Sequence, residues 1–209
     1  MHADKPGSTI DDAAQLRSVV GEVHPLAEKK VLDRLDGFCR DFIALSPFLV
    51  LASVDGSGRA DASPRGDGPG FVQVLDDRTL LIPDRRGNNR VDSLGNVLSS
   101  PGIGLVFFVP GIDETLRVNG RARMTTDATL LAPLAMQGKA PKLGLIVAVD
   151  EAYFHCGKAL IRSRLWAQDA QVDRTSFPTL GRIVAEQTRA VDAAQADATL
   201  EEGYRTRLY

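Results

Sequence analysis

The segment FVQVLDDRTLLIPDRRGNNR, residues 71–90, contains two short apolar runs and then a loop rich in arginine, glycine and asparagine. The runs FVQVL and TLLIP have the length and the aliphatic content that are typical of β-strands. Arg85, Arg86 and Arg90 lie in the loop that follows. The segment therefore predicts two strands that lead into a positively charged loop.

Similar runs extend on both sides of this segment, over residues 48–149. They are FLVLASV, IGLVFFV, TLRVNGRARMTT and LGLIVAV, and polar turns such as DGSGR and DGPG occur between runs. A doubly wound parallel sheet would need a helix between most of its strands, so this spacing favours a closed or nearly closed antiparallel barrel. The predicted fold class is mainly β with flanking helices (α+β).

Helical patterns flank the strands. Two sets of apolar residues recur at helical spacing within residues 11–46, namely Leu16 with Val19 and Val20, and Phe38 with Phe42 and Leu45. From Pro178 onward the sequence is polar, rich in alanine and helical in character, and we expect its tail EEGYRTRLY to be partly disordered. The chain is interpreted as one domain, with an N-terminal helical segment (1–46), a barrel core (47–167) and a C-terminal helical segment and tail (168–209).

Two further helices are predicted between strands. The first begins after Asn88 or Asn89 and ends before Pro101, where proline prevents its continuation. Its apolar face comprises Val91, Leu94 and Leu98. The second is expected over residues 127–136.

Composition limits the classes of function. The chain has 209 residues, 44% of them hydrophobic, which is enough for a sizeable core, and its net charge of −2 gives no overall positive field for nucleic acid or acidic membranes. Cys39 and Cys156 lie in no spacing that would hold zinc, so we expect reduced thiols and no metal. The first residues lack a basic and apolar leader, and no apolar run approaches the roughly 18 residues of a membrane span. A soluble, cytoplasmic protein without nucleic-acid or membrane partners is the expectation.

The loop at residues 84–90 has the properties of an anion site. A helix that begins near Arg90 would present unpaired N–H groups and the positive end of its dipole. Arg85, Arg86 and Arg90 would add charge-assisted hydrogen bonds that favour a phosphate. The alternative is a solvated surface in which Asp84 and Asp92 compensate the arginines. Binding of RNA or DNA is disfavoured, because no aromatic stacking platform accompanies these arginines.

Four blocks in this order indicate a family. They are SPRGD (63–67), PDRRGNNRVDSLGN (83–96), PGIDETLRVNGRA (110–122) and HCGKALIRSRLW (155–166). Together they resemble the pyridoxamine 5′-phosphate oxidase-like family of FMN-binding split β-barrel proteins, and within it a bacterial subgroup described as FMN-dependent enzymes. The resemblance covers about Phe38 to Trp166.

The resemblance implies a six-stranded split barrel, a homodimer and FMN in a groove at the dimer interface. It assigns Ser63, Arg65 and Gly66 to the isoalloxazine ring, Pro83, Asp84 and Arg85 to the ribityl chain, and Asn88, Asn89 and Arg90 to the phosphate. It assigns Arg117 and Asn119 to the pyrimidine edge of the flavin, and Lys158, Arg162, Ser163 and Trp166 to contacts from the other subunit.

Several of these and neighbouring residues have structural alternatives. Taken alone, Trp166 is more typical of a core or interface anchor than of a flavin contact, and His155 of a buried histidine than of a general base. No neighbour in the sequence marks Cys156 as a nucleophile, and residues 67–70 are interpreted as a hairpin turn. Phe107 and Phe108 are interpreted as core or dimer-interface residues. The sequence identifies no catalytic acid or base.

The resemblance does not extend to vitamin B6 oxidation. Authentic pyridoxamine phosphate oxidases end in an Arg-x-His motif that binds the substrate phosphate, and GYRTRLY has no such motif. We therefore expect an FMN-dependent oxidoreductase of undefined substrate, in which the flavin supplies the redox chemistry. The alternative is a non-catalytic flavin-, F420- or haem-binding protein on the same barrel.

Overall fold

Seven antiparallel strands form a single sheet in the computed structural model, which describes residues 9–209. Residues 1–8, the start of the predicted 1–46 segment, lie outside the described residues. The strands are β1 (Phe48–Val54), β2 (Ala60–Gly66), β3 (Gln73–Asp76), β4 (Thr79–Pro83), β5 (Gly102–Phe108), β6 (Thr115–Thr125) and β7 (Gly144–His155), and their order across the sheet is β2-β1-β5-β6-β7-β4-β3. The predicted fold class is confirmed, with seven strands in place of six.

Eight α-helices lie before, between and after the strands within residues 9–209. They are α1 (Ala13–Val20), α2 (Pro25–Lys29), α3 (Gly37–Leu45), α4 (Asp92–Ser99), α5 (Ala128–Leu131), α6 (Lys158–Ser163), α7 (Leu180–Thr188) and α8 (Ala193–Thr206). The helix expected over residues 127–136 is α5 followed by a 3₁₀ turn, Ala132–Leu134, which accommodates Pro133. Within residues 9–209, no helix has the length and apolar character that crossing a membrane requires.

The strand that the apolar runs did not reveal is β2, with the sequence ADASPRG. Its residues are small or polar and alternate between exposed and half-buried positions, because β2 is an edge strand paired only with β1. Only the family resemblance drew attention to Ser63, Arg65 and Gly66, which lie on this strand. The run FVQVL becomes a strand only from Gln73.

The turn at residues 67–70 is not a hairpin turn, because β2 and β3 lie at opposite ends of the sheet. It carries the chain from one edge to the other. Gly70 has a φ of +76°, and a Cβ there would lie 3.1 Å from the carbonyl oxygen of Ala44. The N–H of Gly70 donates to the carbonyl of Ser46 at 3.2 Å. Residues 67–70 therefore pack against the junction between α3 and β1.

The apolar faces predicted for two helices differ from the faces that are buried. In α3, Cys39, Phe42 and Ile43 are buried, whereas Phe38 and Leu45 are 75% and 55% exposed. The segment FCRDFIAL carries two overlapping apolar stripes, and packing on the sheet selects only one. Leu16, Val19 and Val20 of α1 are all exposed.

The helix α4 also begins and packs differently from the prediction. It starts at Asp92, after Val91 in the left-handed conformation (φ 53°) at the N-cap position, and its buried residues include Leu94 and Val97. Val91 and Leu98 are exposed. Asn88 accepts a hydrogen bond from the N–H of Arg90 at 3.1 Å, so it orders the loop before the helix and does not cap α4.

The C-terminal segment is more ordered than predicted. The helices α7 and α8 pack against each other, and α8 extends through Thr206, which makes the expectation of disorder wrong for residues 201–206. Asp197 of α8 accepts hydrogen bonds from the hydroxyl of Thr179 and the N–H of Gly181, at 2.6 and 2.9 Å. These bonds fix the two helices at one end.

Candidate functional site

The end of β2 and the end of β4 approach each other, although they belong to opposite sides of the sheet. Nη1 of Arg65 donates to Oδ1 of Asp84 at 2.7 Å, and Nε of Arg85 donates to Oδ2 of Asp67 at 2.6 Å. Arg65 and Asp84 are 18% and 25% exposed, and Asp67 only 1%. We call these two contacts the split pairs. The edge strand β2 and the end of β4 are therefore joined by charge-assisted side-chain hydrogen bonds and not by a backbone ladder.

A row of polar side chains runs from the split pairs along β2. Asp61, Ser63 and Arg65 alternate along the strand and therefore share one side of it. Oδ2 of Asp61 accepts from the hydroxyl of Ser93, in the first turn of α4, at 2.6 Å. We call the row of side chains from Arg65 and Asp84 at one end to Asp61 and Ser93 at the other the split groove.

One donor in the split groove has no partner. Nε of Arg65 is buried, and within residues 9–209 it has no hydrogen-bond acceptor. A buried donor left in this state costs about 1–3 kcal/mol. A bound molecule that presented a hydrogen-bond acceptor to this nitrogen would remove that cost.

Arg90 lies beside the Asp61 end of the groove. Its side chain is 76% exposed, and Nε donates to Oδ2 of Asp92 at 2.7 Å. This hydrogen bond, the charge of Asp92 and the charge of Asp61 together raise the pKa of Arg90. Asn88, Asn89 and Arg86 are also exposed in the same loop. Asn88, Asn89 and Arg90 are thus three exposed polar residues of one loop, and Arg90 is the member for which an influence of Asp61 is seen.

Arg85 is held by the protein itself. Besides Asp67, its Nη1 donates to the carbonyl of Leu134 at 2.8 Å, and its guanidinium carbon lies 5.8 Å from the centre of the Tyr209 ring. The hydroxyl of Tyr209 donates to Oδ1 of Asp67 at 2.8 Å, and Nζ of Lys139 donates to the Tyr209 carbonyl at 3.1 Å. Arg85 therefore closes the barrel, and the chain after α8 packs on it.

The titration of Asp67 and Tyr209 reflects these contacts. Burial acts to raise the pKa of Asp67, but hydrogen bonds from Tyr209 and from the N–H of Gly68, together with Arg85, outweigh it and hold the pKa below its usual value. The hydrogen bond to Asp67, with burial, raises the pKa of Tyr209. Sequence reasoning missed Tyr209, because 142 positions separate it from Asp67.

The remaining residues assigned to the ring and the ribityl chain lie around the split pairs. Pro83 is buried at the end of β4, opposite Gly144. Gly66 pairs with Phe48, and a Cβ on Gly66 would lie 3.3 Å from the Phe48 ring. Because Gly66 follows Arg65 along the strand, it faces the opposite side of the sheet from the split groove.

That opposite side is the outer face, formed by the side chains of Phe48, Val50, Val106, Phe108, Arg117, Asn119, Glu151 and Tyr153, which pair across β1, β5, β6 and β7. The guanidinium of Arg117 lies 5.1 Å from the centre of the Tyr153 ring. Nδ2 of Asn119 donates to Oε1 of Glu151 at 2.6 Å. Two strands, β1 and β5, separate β6 from β2, so one chain does not bring Arg117 and Asn119 to Arg65.

The residues of α6 and Trp166 also lie away from the split groove. Lys158 and Arg162 are exposed, and the hydroxyl of Ser163 donates to the Leu160 carbonyl at 3.1 Å. Nε1 of Trp166 donates to the carbonyl of Ile112 at 2.9 Å. Trp166 lines an apolar cavity of about 360 Å³ on the outer face, together with Phe48, Val50, Phe108, Pro110 and Leu165.

Other candidate residues are placed as follows. His155 is exposed, so the interpretation as a buried histidine is wrong. Cys156 is exposed and Cys39 is buried, and both are free thiols. Burial, followed by a contact with Asp36, raises the pKa of Cys39 to about 11. Phe107 is fully buried in the core, whereas Phe108 lies on the outer face.

Residues 35–156 match the family model described as "Pyridoxamine 5'-phosphate oxidase". The chain belongs to this family.

Comparison with solved structures finds proteins of low sequence identity. HupZ of Group A Streptococcus is 18% identical with a TM-score of 0.45, and the match covers 55% of this chain and 89% of HupZ. An FMN-binding protein of Syntrophomonas wolfei is 12% identical (TM-score 0.45; 56% and 83% covered), and the haem storage protein HutZ of Vibrio cholerae is 14% identical (TM-score 0.41; 58% and 94% covered). No curated protein matches the chain.

Proposed function

We propose that this protein is a cytoplasmic, homodimeric FMN-dependent oxidoreductase of undefined substrate. The observation that carries the proposal is the buried Nε of Arg65, which lacks an acceptor among residues 9–209, in a groove that ends beside the exposed Arg90. The polar edge of an isoalloxazine ring supplies acceptors and a phosphate supplies negative charge. The free thiols of Cys39 and Cys156 fit a reducing compartment.

In this proposal the split groove holds the flavin along its length. Ser63 and Arg65 contact the polar edge of the ring, and Gly66 and Pro83 shape the strand ends beside it. Asn88, Asn89 and Arg90 hold the phosphate. Arg90 can exchange Asp92 for a phosphate at little cost, because an exposed ion pair contributes little to stability. A bound FMN would supply hydride or electron transfer, and the residues of the split groove would orient it and limit access of water.

The outer face is the proposed homodimer interface. Its centre is apolar, and Phe48 remains 39% exposed in the single chain beside the cavity that Trp166 lines. A second copy placed on this face would cover the cavity and bury the aromatic residues. One chain does not bring Arg117, Asn119, Lys158, Arg162, Ser163 and Trp166 to the split groove, so in this proposal these residues of the partner subunit reach the flavin past the edge strand β2.

The first test is the absorption spectrum of the purified protein, with chromatography of the chromophore released by heat. We expect FMN at close to one equivalent per chain and a dimer by light scattering. Rapid reduction of the bound flavin by NADH or NADPH would support an oxidoreductase. A haem or F420 spectrum, or a protein that takes up no added FMN, would contradict the proposal.

Arg90→Ala tests the phosphate site. Loss of the charge should weaken FMN binding by about tenfold or more and leave the dimer intact. The matched control is Arg164→Ala, which removes an exposed arginine that pairs with Asp169. An FMN affinity equal to that of the unmodified protein in Arg90→Ala would remove Arg90 from the site.

A further inference from the structure

We infer that Asp84 is a positioning residue, which orients the Arg65 guanidinium and compensates its charge, and thereby sets the redox potential of the bound flavin. The inference rests on the proposed function. It goes beyond it by assigning to the Arg65–Asp84 pair a role in the electronics of the cofactor.

The geometry gives Asp84 one principal contact. Its Oδ1 accepts from Nη1 of Arg65 at 2.7 Å, and both side chains are largely buried. Asp84 follows the last residue of β4, and its own N–H donates to the carbonyl of Leu143 at 2.9 Å. The carboxylate is therefore attached to a fixed backbone position and in turn fixes the plane of the guanidinium, because this group is rigid.

The same contact leaves Nε of Arg65 as a buried donor without an acceptor. This nitrogen is buried and has no acceptor among residues 9–209, whereas Nη1 is already used. In a rigid guanidinium held at one corner, the direction of the Nε–H bond is fixed as well. Arg65 is thus prepared to donate to one acceptor of a bound ring.

Charge compensation determines what this donor does to the flavin. FMN takes up two electrons and one proton to reach its reduced form, so the ring then carries one additional negative charge. An uncompensated guanidinium beside the ring would stabilise that charge and raise the midpoint potential. With Asp84 at 2.7 Å the pair is close to neutral, so Arg65 supplies a hydrogen bond with little net charge.

The test is the midpoint potential of bound FMN, measured by reductive titration with dithionite against a reference dye. Asp84→Asn keeps an oxygen that can accept from Arg65 but removes the negative charge, and it should raise the potential. Arg65→Gln keeps an N–H donor and leaves Asp84 uncompensated, so it should lower the potential. A tenfold change in the preference for reduced flavin corresponds to about 30 mV for two electrons.

Two controls separate this role from a structural one. The double variant Arg65→Gln with Asp84→Asn has no net charge at the pair, and its potential should return towards that of the unmodified protein. Asp33→Asn removes a carboxylate from the exposed Arg78–Asp33 pair and should leave the potential unchanged. A structural defect alone would not produce shifts of opposite sign.

The outcomes distinguish the inference from the proposed function. If the unmodified protein binds FMN and the potential does not respond to Asp84→Asn or Arg65→Gln, the inference is wrong and the proposed function stands. If Asp84→Asn does not fold, the potential of Arg65→Gln decides, because its predicted shift has the opposite sign. If the unmodified protein binds no FMN, both the proposed function and the inference are wrong.

Discussion

Arg85 and Arg90 lie five positions apart in the same loop, yet their surroundings differ completely. Arg85 donates to Asp67 and to the carbonyl of Leu134 and is only 16% exposed, whereas Arg90 contacts Asp92 and is 76% exposed. The first closes the barrel at its split, and the second is accessible to a ligand. The comparison shows that the fold uses Arg85 for its own contacts and leaves Arg90 accessible for the proposed phosphate site.

The largest expected loss of stability follows from breaking the buried Arg85–Asp67 pair. Asp67→Ala removes a carboxylate that is 1% exposed and leaves Arg85 without its charge partner. Removal of one partner of a buried pair costs about 3–5 kcal/mol in the free energy of unfolding. Urea unfolding, followed by the fluorescence of Trp166, the only tryptophan, measures it.

The matched exposed variant is Asp92→Ala, at the Arg90 pair. It should leave the urea midpoint unchanged, because both side chains reach solvent. Equal effects of the two substitutions would abolish the distinction between the two arginines.

A smaller effect is expected at Tyr209. Tyr209→Phe deletes the hydroxyl that donates to Asp67 at 2.8 Å and should lower the free energy of unfolding by about 1–2 kcal/mol. Tyr204→Phe, on the exposed surface of α8, should have no measurable effect. A Tyr209→Phe variant as stable as the unmodified protein would show that this hydroxyl contributes nothing to the closure of the split.

The pH dependence of stability tests the contribution of the ionised Asp67 carboxylate. The pKa of Asp67 lies below the usual 3.8 in the folded protein, so its contribution is present above pH 3.8 and is lost as the pH falls through the lower, folded value. Asp67→Asn should therefore flatten the acid limb of the stability curve. An acid limb identical to that of the unmodified protein would assign the loss to other carboxylates.

The sequence predicted the elements that have strong periodicity and missed those that depend on distant contacts. Six strands were visible as apolar runs, whereas β2 was not, because an edge strand with one ladder needs few apolar residues. The buried stripe of α3 could not be chosen from FCRDFIAL, since Phe42 belongs to both candidate stripes. Packing against the sheet decides between them.

In the candidate site, too, the sequence motifs identified some residues, whereas their distant contacts became visible only in the structure. The motif order pointed to the residues around the split groove, and spacing alone grouped Arg85 with Arg90. The partners that separate their roles are Asp67, Leu134 and Tyr209, which lie 18, 49 and 124 positions from Arg85. The crossing between the sheet edges brings Asp67 to Arg85, the 3₁₀ turn after α5 brings Leu134, and the chain after α8 brings Tyr209.

The proposal that Arg90 binds the FMN phosphate is tested by two affinities of the flavin-free protein, one for FMN and one for riboflavin, which lacks the phosphate. Both are measured in the unmodified chain and in Arg90→Ala. We predict that the unmodified protein prefers FMN by about tenfold or more, and that Arg90→Ala loses this preference while its affinity for riboflavin is unchanged. Equal affinities of the unmodified protein for the two flavins, or a preference for FMN that survives in Arg90→Ala, would contradict it.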